Sequence, residues 1–344
     1  MVLGNFHCVG KLPEEPVVVI TGAASGIGRE TALMFAMRRA QLVLAARGED
    51  ALKTLAAEVE RLGGQAEIAV CDVTDFAQVL GVAEAAIRRY GRMDVWVNSA
   101  AVSTYGTAEQ LEITEIHRVL HVNLFGQIHG MKAALPRLRE TGGTVINVTS
   151  VLGKRAAPLQ AAYSAAKHGV VAFSEAMRLE LRHANTPVDI VDVRPSGINT
   201  PLFEHARSKI GVRPQPIPPV YEPRTVAQAI VAAADRPVRD IVVGAGGRLL
   251  EVGQRLSPAL VDWYTLGPGN MIQAQHTSTP DNGQDNLFAP MSGTGRVAGL
   301  FGQRSKSTSV YTMLFGAHPV RGRVAIGLGV VAAALAVRSI GRWR

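Results

Sequence analysis

The order of apolar runs along this 344-residue chain predicts an α/β fold, a doubly wound seven-stranded parallel sheet followed by a C-terminal extension. Three observations predict it. The strand-like runs are apolar from end to end rather than alternating, which marks strands buried on both faces. Helical stretches separate them, in the rhythm of parallel βαβ units. Apolar residues make up 47% of the chain against 19% charged, enough to bury a core and too many for wholesale disorder.

Val17–Ile20 is the first strand, a β-branched run that ends in the glycine-rich turn Thr21–Gly28, and a helical pattern follows through Arg39. Leu42–Ala45 is a second strand, Glu49–Leu62 a helix, Ala66–Val70 a third strand and Asp75–Tyr90 a helix. Val95–Val97 is a fourth strand, Thr114–Leu138 one long helix, and Thr144–Val148 a fifth strand. Helix Ala161–His183, strand Val188–Val193, helix Thr225–Ala234 and strand Ile241–Val243 complete the alternation. The pattern places one α/β domain over residues 1–250 and an extension over 251–344. In the extension, Val252–Leu266 reads as one helix with Val252, Leu256, Leu260 and Trp263 on a stripe. His276–Asn286 is polar and rich in turn formers, which predicts a loop or disordered linker.

The formal net charge is +8, but its basic residues are scattered and not interleaved with aromatics, which argues against a nucleic-acid partner. A basic surface serves an anionic cofactor or an anionic membrane equally well. Only two cysteines occur, Cys8 and Cys71, which fits a reducing compartment better than a disulfide framework. No basic patch followed by an apolar run opens the chain, so a secretory signal is not expected and the cytoplasm is the expected location. No metal site is expected. The apolar run Val324–Val337 is shorter than the roughly 17–25 residues of a spanning helix. Packing against the core is the default for it, with peripheral membrane contact the alternative. Arg321, Arg323, Arg338, Arg342 and Arg344 flank it, and Trp343 suits an interface.

Thr21-Gly22-Ala23-Ala24-Ser25-Gly26-Ile27-Gly28 joins the first strand to the first helix. Glycine turns the chain sharply there and lets backbone approach a pyrophosphate with no Cβ in the way. The helix beyond it offers free N–H groups and a positive dipole end. Glycine-rich turns are common; the position between the first strand and first helix is what favours a nucleotide. The second strand ends Leu44-Ala45-Ala46-Arg47. An acid at this place binds the ribose hydroxyls of NAD, whereas an arginine accommodates the 2′-phosphate of NADP. Ala46 puts no carboxylate there and Arg47 can pair with the phosphate, so NADP is favoured over NAD.

Tyr163 and Lys167 are four residues apart on a predicted helix, so they share a face. An ammonium beside a phenol favours phenolate and lowers the tyrosine pKa toward neutrality, as a general acid/base requires. Ser150 follows the strand Thr144–Val148, at the carboxyl end where such sheets hold ligands. Its hydroxyl is placed to meet the same substrate oxygen as Tyr163, although a serine after a strand is otherwise an ordinary turn residue.

With these residues in view, the chain resembles the short-chain dehydrogenase/reductase family, in its Rossmann-fold branch. The matching segments are Thr21–Gly28, Cys71-Asp72-Val73, Asn98-Ser99-Ala100-Ala101, Asn123, Ser150, Tyr163-Ser164-Ala165-Ala166-Lys167 and Pro195-Ser196-Gly197, in family order. The resemblance covers about residues 14–245 and is silent on the last hundred. It implies hydride transfer between NADP(H) and a carbonyl or alcohol, with Tyr163 moving the proton. Lys167 would bind the nicotinamide ribose, Ser150 would orient the substrate oxygen, and Asn123 would hold a water that links Lys167 to solvent. Thr21, Gly22, Ser25, Gly26, Ile27 and Gly28 would form the phosphate turn, and Arg47 would meet the 2′-phosphate. Asp72 and Val73 would flank the adenine, Asn98 and Ala100 would belong to the cofactor cleft, and Pro195, Gly197, Ile198 and Thr200 would lie along the nicotinamide. Ala101 stands where the family commonly has glycine, a departure expected to affect affinity modestly. A homo-oligomer is also implied.

Pro201–Pro223 falls where this family carries a substrate lid. Leu202, Phe203 and Ile210 point to a partly hydrophobic substrate, while Arg207, Lys209 and Arg213 read as solvated charge. Two rival readings stand beside the reductase: a silent dinucleotide-binding sensor or scaffold, and an epimerase or isomerase that returns its cofactor unchanged. All of Ser150, Tyr163 and Lys167 are retained, which argues against the sensor.

Overall fold

The computed structural model describes residues 12–293 and 295–313. Seven parallel strands form the central sheet: β1 (Val17–Thr21), β2 (Gln41–Ala46), β3 (Gln65–Val70), β4 (Val95–Asn98), β5 (Gly143–Val148), β6 (Val188–Pro195) and β7 (Asp240–Val243). Their order across the sheet is β7-β6-β5-β4-β1-β2-β3, so the chain reverses direction between β1 and β4. Ligands of such sheets bind beyond the carboxyl ends at that reversal. Alternate side chains of β1 enter opposite cores, Val17 and Val19 one and Val18 and Ile20 the other. That explains why the strand is apolar throughout.

Helices α1 (Gly26–Ala36), α2 (Glu49–Arg61) and α7 (Pro223–Asp235) cover one face through Phe35, Leu52, Leu55 and Ile230. Helices α3 (Phe76–Tyr90), α5 (Gly126–Thr141) and α6 (Ala161–His183) cover the other through Val79, Met131, Leu138 and Leu181. Asp75 starts α3 by accepting from the N–H groups of Ala77 and Gln78, a cap worth about 1 kcal/mol.

The stretch expected as one helix over Thr114–Leu138 is interrupted. Helix α4 (Ile113–Leu120) passes through a π-helical turn, His121–Phe125, before α5 begins. The extra residue in that turn rotates Asn123 inward, the kind of local unwinding often found at functional sites.

Polar groups also tie the sheet together below the site. Asn98 accepts from the Trp96 indole at 2.8 Å and donates to Asn147 at 2.9 Å. Asn147 continues to Ser174, which donates to Asp192 at 2.8 Å, and Arg178 closes the chain on Asp192 at 2.6 Å. Strands β4, β5 and β6 therefore share one satisfied polar seam, which fixes their register.

The extension differs from its sequence reading. Val252–Leu266 is two helices, α8 (Ala245–Leu256) and α9 (Pro258–Leu266), because Ser257 caps α9 and Pro258 cannot continue α8. Helix α8 runs through the expected boundary at residue 250. Its Glu251 is buried and accepts from Arg194 of β6 at 2.8 Å, so the extension begins locked to the sheet. The expected linker at His276–Asn286 begins with a strand, His276–Pro280, antiparallel to Val212–Pro214 of the lid. Its polar side chains suit a ribbon with an exposed face. No helix among the described residues is long and apolar enough to cross a membrane. Cys8 and the run Val324–Val337 lie outside the described residues.

Candidate active site

A cavity of about 1200 Å³ opens at the carboxyl ends of the strands. The turn from β1 into α1 forms one wall. Gly22 has φ +70, and a Cβ there would lie 2.5 Å from the Ala100 Cα, so only glycine lets this turn touch the β4 turn. Gly22, Ser25, Gly26 and Ile27 face the cavity, as do Arg47, Asp72, Val73 and Ala100. Gly28 sits behind the turn, against the Gly22 carbonyl. Thr21 is buried and donates to the Val97 carbonyl. Neither of these reaches the cavity, and Asn98 spends its amide on the buried seam, with a further bond to the Gln127 carbonyl.

The end of the cavity at Arg47 and Asp72 is electrostatically prepared. Burial pushes the Asp72 carboxyl up, but hydrogen bonds from Arg118 at 2.7 Å and from Thr74 hold it below the usual range. Burial and the neighbouring Arg118 charge both lower the Arg47 pKa. The Arg47 guanidinium donates to two carbonyls of the extension, Asn286 at 2.6 Å and Phe288 at 3.2 Å. These contacts could not be read from the sequence, since backbone oxygens carry no residue signature.

At the other end Ser150, Tyr163 and Lys167 line the same cavity, with Pro195, Gly197, Ile198 and Thr200 opposite. Ser150 leaves β5 in extended backbone and accepts from the Leu152 N–H at 3.1 Å, which fixes its hydroxyl at the strand end. The Ser150 hydroxyl lies beside Tyr163 and favours its phenolate, though less than burial disfavours it. Lys167 places its Nζ 5.5 Å from the centre of the Tyr163 ring and donates to the Val148 carbonyl at 2.9 Å. In the protein alone burial governs both groups: it pushes the Tyr163 phenol up to about 12 and the Lys167 ammonium down to about 7. The expected lowering of the tyrosine by its lysine is therefore not present in this state, because desolvation outweighs a charge that is itself weakened. Asn123 does not face the cavity. Its amide grips the Val102 backbone in both directions, at 2.9 Å and 2.8 Å, and so holds the loop after β4.

Two further polar side chains at the chemical end escaped the sequence reading. Tyr105 is buried on the cavity wall, its pKa raised by burial and by Tyr163 nearby. Gln160 also lines the cavity and donates to Gln275 of the extension at 2.6 Å. Neither falls in a motif. Apolar side chains also line the cavity, among them Phe203 and Ile217 of the lid, Leu249 of α8, and Leu260, Trp263 and Met271 of the extension.

Residues 16–211 match the sequence profile of the short chain dehydrogenase family. The chain is a short-chain dehydrogenase/reductase. An uncharacterized oxidoreductase of Bacillus subtilis, YxnA, is 36% identical over 325 residues, spanning 93% of this chain and 91% of the relative. An alcohol dehydrogenase from Thermococcus sibiricus, solved with 5-hydroxy-NADP, superposes with TM-score 0.59 at 27% identity, covering 66% of this chain and 95% of that one. A short-chain dehydrogenase/reductase from Burkholderia phymatum, solved with NAD, gives TM-score 0.63 at 26% identity and covers 70% and 95%. This short-chain dehydrogenase/reductase is thus an oxidoreductase with a dinucleotide cleft, and about a third of its chain has no counterpart in those two structures.

The residues present fit a dinucleotide. The turn around Gly22 leaves no Cβ in the pyrophosphate approach, the N-terminus of α1 points at it, and Arg47 and Asp72 supply polar groups at the far end.

Proposed function

We propose that this enzyme is an NADP(H)-dependent dehydrogenase/reductase that interconverts a carbonyl and an alcohol on a hydrophobic substrate. The observation that carries the reading is the joint placement of Ser150, Tyr163 and Lys167 in one cavity with the glycine-rich turn. The cofactor, when bound, supplies or accepts the hydride. Every remaining step belongs to the chain. Ser150 and Tyr163 hold the substrate oxygen between two hydroxyls. Tyr163 donates its proton to that oxygen during reduction and takes it back during oxidation. Lys167 sits one helical turn away, where its charge stabilises phenolate as it forms.

NADP(H) is preferred over NAD(H) because Ala46 presents no carboxylate and both Arg47 and Arg118 lie at the adenosine end. The apolar substrate class rests on the apolar side chains that line the cavity, among them Phe203, Ile217, Leu260 and Trp263. It is also favoured by the lid, where two cations are already paired: Arg207 with Glu115 and Asp285, and Lys209 with Glu115. No free cation of that pair is left to receive an anionic substrate.

The test follows NADPH oxidation by absorbance with a panel of apolar aldehydes and ketones, beside Tyr163→Phe. Turnover that falls at least about a hundredfold in the variant supports the reading, as loss of a general acid alone removes roughly 10²–10⁴. Turnover confined to small polyols or sugars would contradict the substrate class.

A further inference from the structure

After its antiparallel pairing with the lid, the extension crosses the cofactor half of the cavity as a strap, residues 285–293 and 295–301, with neither helix nor strand of its own. Its contacts go to the edges of the cleft. Asn286 and Phe288 present their carbonyls to Arg47, and Leu287 presents its own to Arg118 at 2.9 Å while its side chain is fully buried. Arg296 accepts from the Gly26 N–H of the phosphate turn at 2.9 Å. Gly295 has φ +70, and a Cβ there would lie 2.2 Å from the Ala24 carbonyl, so the strap rests directly on that turn.

The lid holds the other side. Arg296 pairs with Glu204, the Leu300 N–H donates to Glu204 at 3.0 Å, and Asp285 pairs with Arg207 at 2.8 Å. The Asn286 N–H donates to the His205 carbonyl at 2.9 Å. Asn286, Pro290, Gly293 and Arg296 line the same cavity as the phosphate turn. The side-chain oxygen of Asn286 is buried there and has no partner among the described residues. A buried acceptor without a donor is costly unless a ligand or water supplies one.

We propose that this strap is the outer wall of the dinucleotide site, that it lies over the adenosine and pyrophosphate portion of the bound cofactor, and that it lifts for the cofactor to enter or leave. The inference rests on the cleft being a dinucleotide site. Apart from the buried Leu287 side chain, its anchors are hydrogen bonds and ion pairs at the rim rather than sheet pairing, so opening costs the release of one core side chain and not the unfolding of the domain. Two of its bonds end on Arg47, the side chain expected to meet a 2′-phosphate. The strap and the cofactor therefore share an anchor, and what one binds the other feels. Cofactor exchange then has its own rate, set by strap opening rather than by the contacts of the dinucleotide alone.

The experiment measures NADPH release from the full chain by stopped-flow fluorescence, with excess NADP+ as the chase. Wild type is compared with Glu204→Ala/Asp285→Ala, which cuts two anchors between lid and strap and substitutes no residue lining the cavity. Release at least tenfold faster in a variant that melts as a folded protein supports the strap. Equal release rates overturn it. Should the double variant fail to fold, hydrogen exchange on wild type decides. Amides 286–293 and 295–301 exchanging more slowly with NADPH bound, through openings at least as frequent as NADPH release, support the strap, whereas openings slower than release overturn it. Binding of neither NADPH nor NADH to wild type would overturn the dinucleotide cleft itself, and the strap with it.

Discussion

Tyr163 and Lys167 face each other inside the protein with the lysine nitrogen 5.5 Å from the ring centre, and neither has a carboxylate to offset its burial. Burial holds the tyrosine neutral, its phenol pushed up to about 12, and brings the lysine down to about 7, where it gains and loses its charge near neutral pH. The tyrosine thus keeps its proton in the free protein, while the lysine beside it changes charge close to neutral pH.

This has a measurable consequence for stability. The folded pKa of Lys167 lies below its unfolded value of about 10.4, so the unfolded chain binds more protons between the two. Stability from this group therefore rises with pH from about 7 toward 10 and is absent below about 7. The stability of wild type relative to Lys167→Met moves in favour of wild type across that window. Urea unfolding of both proteins at pH 6, 8 and 9.5 checks it. A difference independent of pH would contradict the buried, neutral lysine.

Arg47 connects cofactor choice to the strap. Removing its guanidinium takes away a charge-assisted bond to a 2′-phosphate, worth roughly 1.5–3 kcal/mol or about ten- to a hundredfold in affinity. Arg47→Ala should raise the Kd for NADPH by about that factor while changing the Kd for NADH much less. Fluorescence titration with both nucleotides reads the ratio. Parallel losses for the two would mean that Arg47 acts only as an anchor of the extension.

Glu251 tests how the extension is attached. With its carboxylate removed, Arg194 stays buried and keeps only Asp240, at 2.8 Å. Breaking such a pair costs about 3–5 kcal/mol, toward the lower end here because one partner remains. Glu251→Ala should lower the melting temperature by several degrees, and Arg194→Met added to it should restore part of the loss. Calorimetry of the three proteins measures both effects.

The parts of the structure legible in the sequence are those written in side-chain pattern. β1 was visible because Val17–Ile20 fills both faces of a buried sheet, and the turn at Gly22 because only glycine fits it. The break at Ser257-Pro258 was also in plain sight, as a cap followed by a residue that ends helices, but the apolar stripe through Leu256 and Leu260 obscured it. The π-turn at Asn123 was hidden, since one extra residue in a helix leaves the periodicity nearly unchanged. Strand His276–Pro280 was missed because its polar residues pair through backbone at an exposed ribbon. The strap was beyond reach for much the same reason: carbonyls of Asn286, Leu287 and Arg296 make its contacts to Arg47, Arg118 and the phosphate turn, and its ion pairs join charges 78 and 92 residues apart in a chain rich in both signs.

The most direct measurement is deuteride transfer from NADPH deuterated at C4 of the nicotinamide to an apolar ketone, followed by mass spectrometry under single turnover. The account predicts one deuterium on the carbinol carbon with wild type and a transfer slowed by at least about a hundredfold in Tyr163→Phe. Transfer at the wild-type rate in that variant, or product carrying no deuterium, would contradict proton donation by Tyr163 within a hydride-transfer site.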